Sequence, residues 1–295
     1  MASYSEIKAW RVKIMHETME IARNGYYTSQ SGNQVDLPLN EMKNGVYRCC
    51  MIHDATTLPF TIADSDQGLA KISVIDQDCL DAAIDVKNQG HNPVVLNMAS
   101  WTHPGGGYLS GAGAQEESLF RRTNYFQHLV NPDHLPQEKP FHYPIPEFGA
   151  IYSPDAVIFR ASEKDRYRLL EAPIEMAFIA IPAYHDPPIV DGRLTDDYAR
   201  RTRKKIDGIL TTAAHFHHDA IVLSAFGCGA FKNPPQHMAE LFKEAIQARY
   251  LPVFKQIVFA IFDDHNAGKF HNPRGNFLPF RDTFAECVAS GDDIA

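Results

Sequence analysis

Glu116 and Glu117 stand side by side behind a loop with five glycines among nine residues, Gly105 to Gly113. The stretch reads HPGGGYLSGAGAQEESLFRRTNY, from His103 to Tyr125. Two chemistries meet in it. Consecutive glycines remove side chains where backbone must approach a ligand or take positive φ. A run of backbone N–H groups beside a helix N-terminus forms an anion cradle. A carboxylic acid, by contrast, can protonate a leaving oxygen, and its conjugate base can then activate water. Adjacent helical residues point about 100° apart, so the two acids divide the work: one faces the reacting bond and the other holds substrate. Their proximity raises the proton affinity of one of them, while the helix N-terminus favours the charged form. The sequence leaves that contest open. First-turn acids also occur for dipole reasons alone, and glycines for turns, but this run exceeds what a turn requires.

A second loop, FGCGAFKNPP from Phe226 to Pro235, follows another apolar run. Gly227 and Gly229 again permit close backbone approach, and Phe231 offers a flat face to a sugar or base. Its plainer reading is a turn into a helix with Phe231 in the core. Two backbone cradles on one sheet suit a diphosphate. Neither loop matches GxGxxG, no GxxxxGK[ST] is present, and no lysine stands ready for terminal phosphates, which disfavours phosphoryl transfer.

The elements that must position these loops are short apolar runs alternating with helix-period segments. KISVI (71–75), PVVLNMA (93–99), AVIFR (156–160), MAFIAIPA (176–183), AIVLSAF (220–226) and QIVFAIF (256–262) read as strands buried on both faces. CLDAAIDVKNQ, QEESLFRRTNYFQHLV, LTDDYARRTRKKIDGILTTAAHFH and HMAELFKEAIQARYL read as helices. The alternation predicts an α/β sandwich with a parallel or mixed sheet, whose ligands bind beyond the carboxyl ends of strands. Both glycine loops lie there. Residues 1–60 read as an extension packed on the core of a 61–295 domain. Its N-terminal amphipathic helix carries Ile7, Trp10, Ile14, Met15, Thr18, Met19 and Ile21 near one face. Proline-rich stretches at 132–146 and 182–188 read as surface loops.

Composition narrows the classes. The 295 residues carry a net charge of −8 with no basic tract of five, which disfavours binding of duplex nucleic acid. RRTRKK (200–205) reads as a solvated helix face among acids. Any bound phosphate must therefore be met mainly by backbone dipoles. Five cysteines without zinc spacing point to a reducing, intracellular setting, cytoplasmic or nuclear, and no apolar span or signal core is present. His215, His217 and His218 read as a solvated helix end rather than a metal site.

GGG, seven residues, then QEE resembles the signature of the poly(ADP-ribose) glycohydrolases, a macrodomain-fold family. VVLNMAS, IYSPDAVIFR, FGCGAFKNPP and ETMEIARNGYY resemble its bacterial or microbial-type branch, so the likeness runs over most of the chain. The resemblance implies a macrodomain-like α/β/α sandwich that hydrolyses ribose–ribose O-glycosidic bonds of poly(ADP-ribose) from chain ends and releases ADP-ribose. It implies no metal or other cofactor, and ADP-ribosylated proteins or the polymer as partners of a monomer. It assigns the acid/base role to Glu117 and ribose orientation to Glu116 and Asn97, with Gln115 in support. It gives the diphosphate and distal ribose to Gly105, Gly106 and Gly107 and to Gly227, Cys228, Gly229, Ala230 and Phe231. Asp78, shortly after an early strand, is the candidate for adenine. Two alternatives use the same pocket: removal of a single ADP-ribose from protein or nucleic acid, and non-catalytic reading of ADP-ribose, against which the paired acids argue.

Overall fold

The computed structural model describes residues 3–38, 49–62, 68–130, 142–263, 267–269 and 272–289. Most of the proline-rich stretch at 132–146 and residues 39–48 of the N-terminal extension lie outside these, as does the Cys287 side chain. The chain opens with helix α1 (Tyr4–Asn24), set by a capping box in which Ser3 and Glu6 exchange hydrogen bonds. Gly25 closes it in the left-handed region at φ 79°. The expected apolar face is the packed one, with Ile14, Met15 and Thr18 buried. A small hairpin, β1 (Tyr26–Thr28) and β2 (Gln34–Asp36), follows.

The central sheet is built from β3 (Cys50–Ile52), β4 (Lys71–Ile75), β5 (Pro93–Met98), β6 (Ala150–Arg160), β7 (Leu169–Ile181), β10 (Ala220–Leu223) and β11 (Gln256–Ala260). A two-residue hairpin, β8 (Ile189–Val190) with β9 (Arg193–Leu194), stands apart. The strand order is β3-β6-β7-β5-β10-β11-β4. From β7 to β4 the pairings are parallel, and β6 runs antiparallel to both its neighbours. The sheet is therefore mixed, and the carboxyl ends of β4, β5, β7, β10 and β11 share one edge.

Alternate residues of the buried strands feed two cores. Val94, Leu96, Ile179 and Leu223 pack toward helices α5 (Asp196–His215), α6 (Pro235–Ala245) and α7 (Phe277–Ala289). Val95, Phe178 and Val222 face α2 (Cys79–Asn88), α3 (Gln115–Arg122) and α4 (Phe126–Leu129). Asn97 shares the parity of Val95, so it looks toward α3.

Several expectations are corrected. The sheet starts earlier than Lys71, because β3 pairs with β6; a boundary at residue 60 would cut β3 from its sheet. β6 and β7 form a longer ribbon than their apolar runs, since the amino half of β7, LLEAPIE, is exposed or half-buried and its apolar residues are interrupted by Glu171, Pro173 and Glu175. The helix read from QEESLFRRTNYFQHLV breaks at Thr123, where the chain bridges to Ile158 of β6 and Asn124 N–H donates to the Val157 carbonyl. RRTRKK is not wholly solvated. Lys205 is buried, donates to the Glu147 carbonyl, and burial lowers its pKa to about 8. His218 is also buried, bonded to Tyr152 and the Asn92 carbonyl, and burial lowers its pKa to about 4.

Arg122 joins three elements from inside. It pairs with Asp78 and Asp81 of the α2 entrance, and its Nε donates to the Arg160 carbonyl of β6 at 3.1 Å. Removing one partner of such a buried set leaves charges uncompensated. Arg122→Ala should lower the unfolding free energy by about 3 kcal/mol, read as a reduced midpoint in urea titration.

Candidate active site

Gln115 fastens α3 to the end of β5. Its Oε1 accepts the Met98 N–H at 2.9 Å and its Nε2 donates to the Leu96 carbonyl at 2.6 Å, as a neighbouring strand would. The next two residues are thereby aimed back at the loop after β5. Glu116 Oε2 accepts the Ser100 N–H at 2.8 Å, and Oε1 accepts from Gly105 N–H at 3.1 Å and Asn97 Nδ2 at 3.3 Å. Glu117 Oε1 accepts the Gly107 N–H at 2.9 Å. Gly106 N–H donates to the His103 carbonyl at 2.9 Å.

All three triglycine amides are thus used within the protein. Gly105 and Gly107 donate to the protein's own carboxyl groups and Gly106 to a backbone carbonyl, whereas the family resemblance gives all three to the diphosphate and distal ribose. Glycine is required for closeness as much as for φ. A Cβ on Gly105 would lie 2.1 Å from the Phe120 ring, and one on Gly106, at φ 54°, would lie 2.6 Å from Glu117 Oε1.

Glu116 and Glu117 are both buried. Burial raises the Glu116 carboxyl from 4.5 to about 8, against the pull of the Ser100 and Gly105 amides and Asn97, and the neighbouring Glu117 adds to the rise. Two buried acceptors, Glu117 Oε2 and Asn97 Oδ1, have no hydrogen-bond partner among the described residues. Unmet buried acceptors cost free energy that an incoming hydroxyl or protonated oxygen would return.

The second glycine loop lies beyond β10, the strand next to β5. Gly227 takes φ 74°, and a Cβ there would strike Ala183 and Asn233, both at 2.6 Å. Asn233 clamps the loop, donating to the carbonyls of Tyr184 at 2.7 Å, Gly227 at 3.1 Å and Phe231 at 3.3 Å. The consecutive N–H groups of Gly229, Ala230 and Phe231 donate to no group among the described residues. Phe231 is half-buried, edge-on to His185 at 5.0 Å. The Cys228 thiol is core, its pKa pushed up by burial, which leaves only its backbone for a ligand.

Asp78 sits after β4 on the same edge, but its Oδ1 already caps α2 through Leu80 and Asp81 N–H and pairs with Arg122. Sequence reasoning missed Tyr125, buried and stacked on Phe178 at 4.4 Å, with its hydroxyl 3.5 Å from Asn97 Nδ2. It also missed the Ser100 amide and Tyr143, whose phenol pKa is raised by burial first and by the nearby Glu116 second. Backbone donors leave no residue signature, and no spacing marks these tyrosines. Among the described residues no group of three or more His, Cys, Asp or Glu is placed to hold a metal. None of their helices is long and apolar enough to cross a membrane.

The microbial-type PARG catalytic domain family matches residues 15–161, a span that holds both acids, Asn97 and the triglycine. The poly(ADP-ribose) glycohydrolase of Thermomonospora curvata is similar at 31% identity and a TM-score of 0.75, over 93% of this chain and 99% of that one. The chain belongs to the microbial-type poly(ADP-ribose) glycohydrolases. It is an enzyme of that class on a macrodomain-like fold. The Thermomonospora glycohydrolase bound to the inhibitor ADP-HPD is similar at 31% identity and a TM-score of 0.70, over 94% and 98% of the two chains. The Deinococcus radiodurans glycohydrolase in complex with ADP-ribose is similar at 27% identity and a TM-score of 0.60, over 74% and 86%. No curated protein matches the chain.

Two outcomes follow for this glycohydrolase site. The folded state keeps a proton on Glu116 between pH 4.5 and about 8 that the unfolded chain releases. The stabilisation from this group is full below 4.5 and is lost as pH rises toward 8, by at most about 1.4 kcal/mol per unit. Thermal melts of Glu116→Gln across that window should show a flatter pH dependence than the parent. Gly106→Ala should press on Glu117 and lower turnover at least about tenfold, since misplacement near 1 Å costs about 10²-fold. Circular dichroism of that variant should be unchanged.

Proposed function

We propose that the chain hydrolyses the ribose–ribose O-glycosidic bonds of poly(ADP-ribose) from chain ends, with Glu117 as general acid and then base. The carrying observation is the state of Glu117: one oxygen fixed by the Gly107 amide, the other buried without a partner among the described residues. That second oxygen is available to the glycosidic oxygen. Protonated Glu117 gives its proton to the departing oxygen as the C–O bond breaks and an oxocarbenium-like ribose forms. The resulting carboxylate then takes a proton from water, whose oxygen bonds to the anomeric carbon. One water is consumed and Glu117 regains its proton.

Other roles distribute around this step. Glu116, fixed by three donors, and Asn97, with its open Oδ1, orient the distal ribose. The amides of Gly229, Ala230 and Phe231, unused among the described residues, hold the diphosphate, which suits an acidic protein. Gly105, Gly106 and Gly107 shape the ribose side by holding the acids. Asp78 has only Oδ2 left for the adenine amino group. The complexes of related glycohydrolases with ADP-ribose and ADP-HPD support the same ligand class here. Burial of both acids beneath the loop supports chain-end action, because a terminal unit can enter a closed site that a passing strand cannot.

Purified polymer should yield free ADP-ribose, with no oligomers early in the reaction. Glu117→Gln should lose about 10²–10⁴-fold in kcat and still bind ADP-ribose by calorimetry. Wild-type turnover by that variant, or faster release from mono-ADP-ribosylated protein than from polymer, would sink the reading.

A further inference from the structure

Helix α1 lies outside the sheet, yet it rests directly on the loop that leads to the acids. A Cβ on Gly111, at φ 75°, would lie 2.4 Å from the Lys8 carbonyl oxygen, and one on Gly113 would lie 2.2 Å from Arg11 Nη1. These two glycines, which the sequence suggests for a ligand, instead admit α1. Arg11 then reaches across to Glu163 with two parallel bonds, Nε to Oε2 at 3.0 Å and Nη2 to Oε1 at 2.9 Å. Glu163 Oε2 accepts the Tyr167 hydroxyl at 2.8 Å. That hydroxyl accepts from Arg121 Nε at 2.9 Å, and Arg121 Nη1 donates to the Ala112 carbonyl at 2.7 Å.

Arg121 is fully buried and stands four residues after Glu117, on the same face of α3. A second strut joins the same helices: Thr18 Oγ1 of α1 donates to the Arg121 carbonyl at 2.7 Å. Tyr167 is also fully buried, against Trp10 at 5.3 Å. It and Arg166 both take left-handed φ, 52° and 58°. Two adjacent non-glycine residues there cost free energy, and such strain persists where the surroundings hold it in place. Arg11, Glu163 and Tyr167 fall outside the 15–161 family match.

We propose that the chain Arg11–Glu163–Tyr167–Arg121 is a positioning device for Glu117: it clamps residues 107–113 from the side of α1 and so keeps the Gly107 amide on the Glu117 carboxylate. The proposal rests on the acid/base reading of Glu117. None of the four side chains needs to touch substrate. Their effect falls on turnover, because the diphosphate loop lies on another strand.

The test uses the full chain with Arg11→Ala, Arg11→Lys, Tyr167→Phe and Glu117→Gln in parallel, assayed on polymer at temperatures where each is folded by circular dichroism. Arg11→Ala and Tyr167→Phe should each lower kcat about tenfold while KM and the ADP-ribose Kd stay within about twofold. Arg11→Lys, which keeps a charged donor to Glu163, should lose less kcat than Arg11→Ala. If Arg11→Ala and Tyr167→Phe lower only the melting temperature and keep kcat, while Glu117→Gln is inactive, the clamp is overturned and the mechanism stands. A rise in KM at constant kcat overturns it equally. If Glu117→Gln retains turnover, the mechanism and the clamp fall together.

Discussion

The site depends on one interaction: carboxylates of the first turn of α3 accepting backbone amides of the loop that precedes it. Ser100 and Gly105 serve Glu116, and Gly107 serves Glu117. A helix N-terminus and a glycine turn ordinarily attract an outside anion. Here the chain supplies the acceptors itself, ten or so residues downstream. The loop cannot relax without losing both acids, and the acids cannot turn without releasing the loop. This explains why glycine is required at positions 105 and 106, where the obstacle to a side chain is the Phe120 ring and the Glu117 carboxylate.

Holding two acids in a dry place requires a scaffold that does not yield, and buried arginines provide much of it. Arg122 ties α3 to the start of α2 and to β6. Arg160 ties β6 back to α1 through Thr18 and Glu17. Such pairs add little net stability compared with apolar packing, but they allow few alternative registers. Their planar, forked donors fix direction as well as distance. The two apolar cores on either face of the sheet supply the cohesion.

Much of this was legible in the residues. Apolar runs at 71–75, 93–99, 220–226 and 256–262 marked the parallel strands, because strands buried on both faces need unbroken hydrophobicity. The acids and the glycines announced a site by type and spacing. What stayed hidden had no pattern to show. β3 is three residues long and contributes through backbone pairing. The amino half of β7, LLEAPIE, is broken by Glu171, Pro173 and Glu175 and so shows no unbroken apolar run. Gly111 and Gly113 resembled ligand contacts, since a glycine does not say what approaches it, and only the fold revealed Lys8 and Arg11 there. Lys205 and His218 looked solvated because burial of a single polar residue depends on partners remote in sequence.

The pair of hydrogen bonds from Gln115 to β5 has a mechanical consequence. α3 is held by its first residue to the sheet, by Arg122 to its neighbours and by Thr18 to α1, so the acids ride on a fixed wall. The loop after β5 turns its bulky apolar side chains outward, with Trp101 and Leu109 each more than half exposed. The turn that is bonded to the acids belongs to the same wall, since Gly105 and Gly107 donate to Glu116 and Glu117. A ligand thus meets acids and turn as one pre-formed surface, with no part of it left to be ordered on binding.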